Sequence, residues 1–247
     1  MHAASIRDDW GKAIGMSAKN LSGETSGINA AKRAAAQSAL QFVEAGSVIG
    51  VGTGTTASAF IDALAAHTGP RPMAAVASSL ETAHLLRAAD IEVSPLPPSG
   101  RLPLYVDGAD EVDGALRMLK GHGGAHTREK VLASAADLFV CIVDDTKPVE
   151  ELTGYTIPVE YLPMARAFVA REIEKLGGRC AHRPGFVTDN GNELFDVYGL
   201  DASEPGYLEG RLEDIPGVVC CGIFARRAAD VLLVGRADGN VETRRAF

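Results

Sequence analysis

From about residue 28 to residue 152 the chain alternates between two kinds of apolar pattern. The first kind is a short continuous run: SVIGV (47–51), MAAVA (73–77), LYV (104–106) and LFVCIV (138–143), with a briefer IEV at 91–93. Runs of this length, bounded by glycine, proline or aspartate, predict strands buried on both faces. The second kind repeats its apolar residues every three or four positions. It predicts helices over INAAKRAAAQSALQFVEAG from Ile28, with Gly46 as its stop, and over ASAFIDALAAH, LETAHLLRAAD and REKVLASAAD. Ser78 and Ser79 precede the third of these as caps. Strand–helix alternation of this kind predicts a Rossmann-like, doubly wound, mostly parallel sheet with helices on both faces.

The rhythm changes after residue 152. TIPVEYL reads as a strand, and PMARAFVAREIEKLGG as a helix opened by proline and closed by glycine. FVTDNGNELFDVYG reads as two strands joined at Asn190-Gly191, a hairpin signal. SEPGYLEGRLEDIPG is a weak helix, with Pro205, Gly206 and Gly210 against it, and VVCCGIF is a strand. The order β-α-β-β-α-β predicts a second, smaller ferredoxin-like α+β lid domain. ADVLLVG and GNVET are expected to return to the first sheet. The division is therefore 1–27 as a loosely attached extension, 28–152 with 228–247 as the Rossmann-like domain, and 153–227 as the lid.

Composition narrows the function. The 247 residues carry a net charge of −8 with no long basic run, so no nucleic-acid partner is expected. No uncharged apolar run is long enough to cross a bilayer, and the N-terminus has neither the basic start nor the apolar core of a signal peptide. The cysteines Cys141, Cys180, Cys220 and Cys221 form no C-x-x-C pair and read as small buried residues in a reducing cytoplasm.

Chemistry concentrates where strands are predicted to end. Ligands of such sheets bind at the carboxyl ends of the strands, and polar clusters at 52–56, 107–111 and 144–147 all stand there. In GVGTGTTASAF (50–60), glycines and a helix start offer backbone donors to an anion, and Thr53, Thr55 and Thr56 add hydroxyls. The loop lacks the Gly-Lys-Ser/Thr of a P-loop and the last glycine of the dinucleotide fingerprint, so a monophosphate fits better than a nucleotide. A plain strand-to-helix turn is the alternative. YVDGADEVDG (105–114) places Asp107, Asp110, Glu111 and Asp113 in one loop. It fails the calcium-loop pattern, and reads either as a solvated turn or as carboxylates for sugar hydroxyls and proton transfer. In KGHGGAHTREK (120–130), Thr127 as a cap would put Glu129 in the first turn of a helix. The helix dipole would then lower its pKa and desolvation would raise it; a carboxylate so placed suits proton abstraction, or simply compensates the dipole of a surface helix. His122 and His126 are four apart, but glycines separate them and no third ligand is near, so no metal is expected.

GVGTGTT, YVDGADE, KGHGGAHTREK, IPVEYLPMA, VTDNGNELFDV and IPGVV occur in the order seen in type A ribose-5-phosphate isomerase, which the chain resembles from Ile28 onward. The resemblance implies an enzyme, the interconversion of ribose 5-phosphate and ribulose 5-phosphate without cofactor or metal, and a homodimer or homotetramer. It implies Glu129 as the proton carrier, Asp107 and Asp110 as sugar-binding and ring-opening carboxylates, and Lys120 as the stabiliser of developing negative charge. It implies substrate binding by Thr53, Gly54, Thr55 and Thr56, by Gly108 and Ala109, by Gly121, His122 and Gly123, and by Lys147. A phosphosugar sensor without turnover and an isomerase of a related phosphosugar are the alternatives. His122 stands where the family has glycine and His126 where it has an apolar residue. If position 122 needs a positive φ, histidine there costs about 1 kcal/mol or more.

Overall fold

The computed structural model describes residues 18–246. Helix α1 spans Ala18–Ala39, β1 Val48–Val51, α2 Thr55–Ala66, β2 Ala74–Ala77, α3 Leu80–Ala88 and β3 Leu102–Asp107. Two short strands follow, β4 Glu111–Val112 and β5 Met118–Leu119, then α4 His126–Ala135 and β6 Ala136–Asp144. The smaller unit holds β7 Ile157–Tyr161, α5 Arg166–Lys175, β8 Arg179–His182, β9 Glu193–Tyr198, α6 Pro205–Glu213 and β10 Val218–Cys221. The chain ends with β11 Ile223–Phe224, β12 Val231–Gly235 and β13 Val241–Arg245.

The main sheet runs β13-β12-β6-β3-β1-β2, parallel except for β13. The two-residue period of β6 explains why both faces are covered. Val140 and Ile142 join the core beneath α1 and α2, with Ile49, Phe60 and Leu64. Phe139, Cys141 and Val143 join the opposite core, with Tyr105, Leu132 and Leu232. The smaller sheet runs β10-β7-β9-β8, antiparallel throughout, the order expected of a ferredoxin-like unit. Val169 and Ile173 of α5 and Leu208 and Leu212 of α6 pack on it with Ile157, Val159 and Tyr161. All four cysteines are unpaired, and Cys141, Cys220 and Cys221 are buried.

Several expectations need correction. Helix α1 begins at Ala18, ten residues before Ile28, so only 1–17 of the expected extension lies outside the described residues. That helix ends at Ala39 and passes through a 3-10 turn at Leu40–Phe42; Gly46 instead serves the turn into β1, where its φ is 73°. IEV makes only an isolated bridge, Val93 to Ala75, at the sheet edge. FVTDNGNELFDVYG contains one strand, because Thr188, Asn190 and Asn192 turn their side chains inward to a buried carboxylate and so close a tight loop.

VVCCGIF is two strands. It breaks at Gly222, whose backbone bonds both Lys120 and Pro158 and where a Cβ would stand 2.2 Å from the Lys120 carbonyl oxygen. The break frees β11 to form a small sheet, β11-β5-β4, that periodicity did not foretell. Finally, His122 is not in the left-handed region: Gly121 (φ 99°) and Gly124 (φ 81°) carry the sharp turns around it, so the histidine costs no backbone strain.

Candidate active site

Loops following β1, β3 and β6 meet the loop before α4 at one edge of the main sheet, around a cavity of about 170 Å³. Of the residues expected at the site, Thr53–Thr56, Gly108, Ala109, Asp110, Lys120–Gly123, Glu129 and Lys147 line it. Asp107 does not. It is wholly buried behind the wall, and its close neighbour Gly52 has no room for a side chain, since a Cβ would meet the Asp107 carboxylate at 1.8 Å.

The Asp107 carboxylate is fully engaged. Oδ1 accepts the backbone N–H of Thr53 at 3.1 Å and of Gly108 at 2.7 Å. Oδ2 accepts the hydroxyl of buried Tyr105 and pairs with Lys120 Nζ at 2.8 Å. Lys120 also donates to the Gly108 carbonyl and stands 3.3 Å from Glu129 Oε2. Burial works against its charge, but Asp107 and Glu129 outweigh burial and push its pKa well up, so Lys120 is a fixed cation.

Glu129 is different. It is almost fully buried, and its Oε2 has no hydrogen-bond partner. Burial, with the Asp107 charge behind it, pushes its pKa up to about 8 despite Lys120. Ala125, not Thr127, is the N-cap of α4, so Glu129 still falls in the first turn while Thr127 turns its hydroxyl to Glu160. Three successive charges of α4 point three ways. Arg128 reaches the 189–190 loop, Glu129 the cavity, and Lys130 the carboxylates Glu209 and Glu213 at 2.7 and 2.6 Å.

The start of α2 lines the same cavity. Gly54 (φ 101°) precedes α2 without a side-chain cap, leaving first-turn N–H groups for a ligand. Lys147 lines this cavity as expected. So does Lys32 of α1, whose Nζ donates to Thr55 Oγ1 at 2.9 Å and stands 3.9 Å from Asp144. Sequence reasoning missed Lys32. The available signal was its phase, for it stands one turn before buried Ala36 on the stripe that α1 packs inward.

His122 Nδ1 lies 3.0 Å from Asp110 Oδ2. This hydrogen bond raises the histidine pKa; in return, though burial opposes it, the Asp110 carboxyl falls below its ordinary value. His126 is wholly buried at the start of α4, with Nε2 3.3 Å from the Cys220 carbonyl. The two histidines therefore serve different neighbourhoods.

Residues 74–239 match the family model of ribose 5-phosphate isomerase A (phosphoriboisomerase A). The chain belongs to this family. The ribose-5-phosphate isomerase A of Acidithiobacillus ferrooxidans is 49% identical over 217 residues, 87% of this chain and 97% of that protein. The crystal structure of ribose 5-phosphate isomerase A from Neisseria gonorrhoeae superposes with a TM-score of 0.86 at 41% identity, covering 90% of this chain and 99% of that one. A D-ribose-5-phosphate isomerase in complex with phospho-erythronic acid superposes at 0.83 with 33% identity, covering 88% and 99%. As a type A ribose 5-phosphate isomerase, the chain is an enzyme of ribose 5-phosphate isomerisation.

Proposed function

We propose that this chain converts ribose 5-phosphate to ribulose 5-phosphate with Glu129 as the single proton carrier. The phosphate sits on the first-turn amides of α2 between Lys32 and Lys147, and this grip aligns the sugar with the reacting end. Asp110, the aspartate that faces the cavity, takes the anomeric hydroxyl proton as the bond from C1 to the ring oxygen breaks, and passes it to that oxygen, which becomes a hydroxyl. The Glu129 carboxylate then removes the proton from C2 of the open aldose. Charge moves to O1, giving an enediolate that Lys120 stabilises; one such donor contributes about 3–4 kcal/mol. Glu129 returns its proton to C1 while the O2 hydroxyl proton passes to O1, leaving the ketone at C2. Asp107 acts through Lys120, fixing the ammonium rather than touching the sugar. The Thr53 and Gly121–Gly123 loops close over the substrate with backbone donors.

The observation that carries this reading is the pairing of a buried carboxyl raised to about 8 with a fixed ammonium 3.3 Å away, in a cavity that an uncapped helix start also lines. We assign residues 28–152 and 228–247 to the catalytic domain and 153–227 to a lid. The family resemblance supports a cytoplasmic homodimer or homotetramer feeding the non-oxidative branch of the pentose phosphate pathway. The test is ribulose 5-phosphate formation by the wild type and Glu129→Gln, each with a chelator. Wild-type turnover should persist, and the variant should lose about 10²–10⁴-fold while still binding phosphosugar. Retained turnover in Glu129→Gln would overturn the assignment of the base.

A further inference from the structure

Two motifs have no part in the reaction as described: IPVEYLP around β7, and the VTDNGNE loop before β9. They meet at Glu160, which is wholly buried away from the cavity. Its Oε1 accepts the Thr188 hydroxyl at 2.8 Å and Asn192 Nδ2 at 2.8 Å. Asn190 Nδ2 reaches Oε1 at 3.1 Å and Oε2 at 3.3 Å, and Oε2 also accepts the Thr127 hydroxyl. Every one of these donors is neutral. Thr127 lies two residues before Glu129 in the same first turn of α4.

The loop held by Glu160 reaches onward. Asp189 Oδ2 accepts the backbone N–H of Leu80, the first residue of α3, at 2.7 Å. Two residues along, the Thr82 hydroxyl donates to the Gly52 carbonyl at 2.8 Å and stands 3.1 Å from the Thr53 hydroxyl. Arg128 closes the circuit, donating to Asn190 Oδ1 at 2.8 Å and to the Asp189 carbonyl at 2.7 Å. One carboxylate thus ties the helix of the base to the helix behind the threonine loop.

We propose that Glu160 is a positioning residue: through Thr127 and the 188–192 loop it fixes the first turn of α4 against α3, and so sets where Glu129 stands relative to bound sugar. Hydrogen bonds to a charged acceptor are about twice as strong as neutral ones, which suits a brace. Precision matters because a 1 Å misplacement of a reacting group costs about 10²-fold in rate. The inference rests on Glu129 being the base.

The test is steady-state kinetics on ribose 5-phosphate with Thr127→Val, Thr127→Ser and Glu160→Gln, with the melting temperature of each. Thr127→Val removes the direct hydrogen bond between α4 and Glu160, leaving only the indirect path through Arg128 and Asn190, and should lower kcat about tenfold, with KM changed less than about twofold. Thr127→Ser keeps the hydroxyl and should restore kcat. Glu160→Gln turns an amide donor toward donors and should lose more, about 10²-fold. If it fails to fold, the threonine pair still decides. A folded Thr127→Val with wild-type kcat, or a loss confined to KM, overturns the proposal. Glu129→Gln measured alongside separates the failures: an active Glu129→Gln sinks the reading of the base, whereas an inactive Glu129→Gln beside an unimpaired Thr127→Val sinks only the brace.

Discussion

Glu129 and Glu160 are both buried carboxylates at the first turn of α4, yet their surroundings are opposite. Glu160 is saturated by neutral donors; burial would raise its carboxyl, but the bonds from Thr127, Asn192, Asn190 and Thr188 hold it below its ordinary value. Glu129 has one cation at 3.3 Å, an oxygen without a hydrogen-bond partner, and a carboxyl raised to about 8. The difference separates structure from reactivity. A carboxylate whose lone pairs are all spoken for is a brace, and one left short of donors can take a proton from carbon.

The sharpest way to break this comparison is to make the same isosteric change at both sites. Glu129→Gln should lose about 10²–10⁴-fold in turnover yet leave the melting temperature at pH 8 equal or higher, because a buried, under-bonded charge has been removed. Glu160→Gln should instead melt markedly lower, with its remaining activity above that of Glu129→Gln. Thermal melts beside turnover assays decide it; equal activity losses at equal stability would erase the distinction. Lys120→Met should follow in size, with kcat lower by about 10²–10³-fold from the lost donor and stability lower by about 3–5 kcal/mol, since Asp107 is then buried without its cation.

The pH dependence sharpens the contrast, because the two carboxyls have opposite signs. Glu129 takes up a proton on folding between its ordinary 4.5 and about 8, so the wild type loses stability as pH rises through that window. The gap in melting temperature between Glu129→Gln and the wild type should widen from pH 5 to 8 and then level. Glu160 contributes fully above 4.5 and its contribution is lost as pH falls through its lower folded value, so Glu160→Gln should close on the wild type only in acid. In turnover, kcat/KM should climb as pH approaches about 8, where Glu129 becomes the free base. The smallest effect belongs to His122→Gly. It should change kcat little and cost about 0.5–1 kcal/mol of stability, since position 122 needs no glycine, the change loosens the unfolded chain, and Asp110 loses one half-exposed hydrogen-bond partner.

Much of the main sheet was legible because parallel strands buried on both faces leave continuous apolar runs, and the loops after them had to face one edge. Glu129 was legible as a first-turn carboxylate, though for the wrong reason, since Ala125 and not Thr127 is the residue that precedes the helix as its N-cap. What stayed hidden depends on contacts between distant residues. Lys32 looks like any lysine of an alanine-rich helix until α1 packs it beside Thr55, 23 positions away. The Asn190-Gly191 signal read as a hairpin because nothing local shows that Glu160 will pull Thr188, Asn190 and Asn192 inward. The break at Gly222 likewise depends on Lys120 and Pro158 crossing there.

The threefold fan of Arg128, Glu129 and Lys130 makes α4 intolerant of changes in length. Each added or deleted residue turns a helix by about 100°, so inserting one amino acid ahead of Arg128 would rotate all three spokes together. The acid would swing away from the cavity, a cation would enter in its place, and both flanking anchors would lose their partners at once. Indels in this segment should therefore combine the turnover loss of Glu129→Gln with the loss of both anchors.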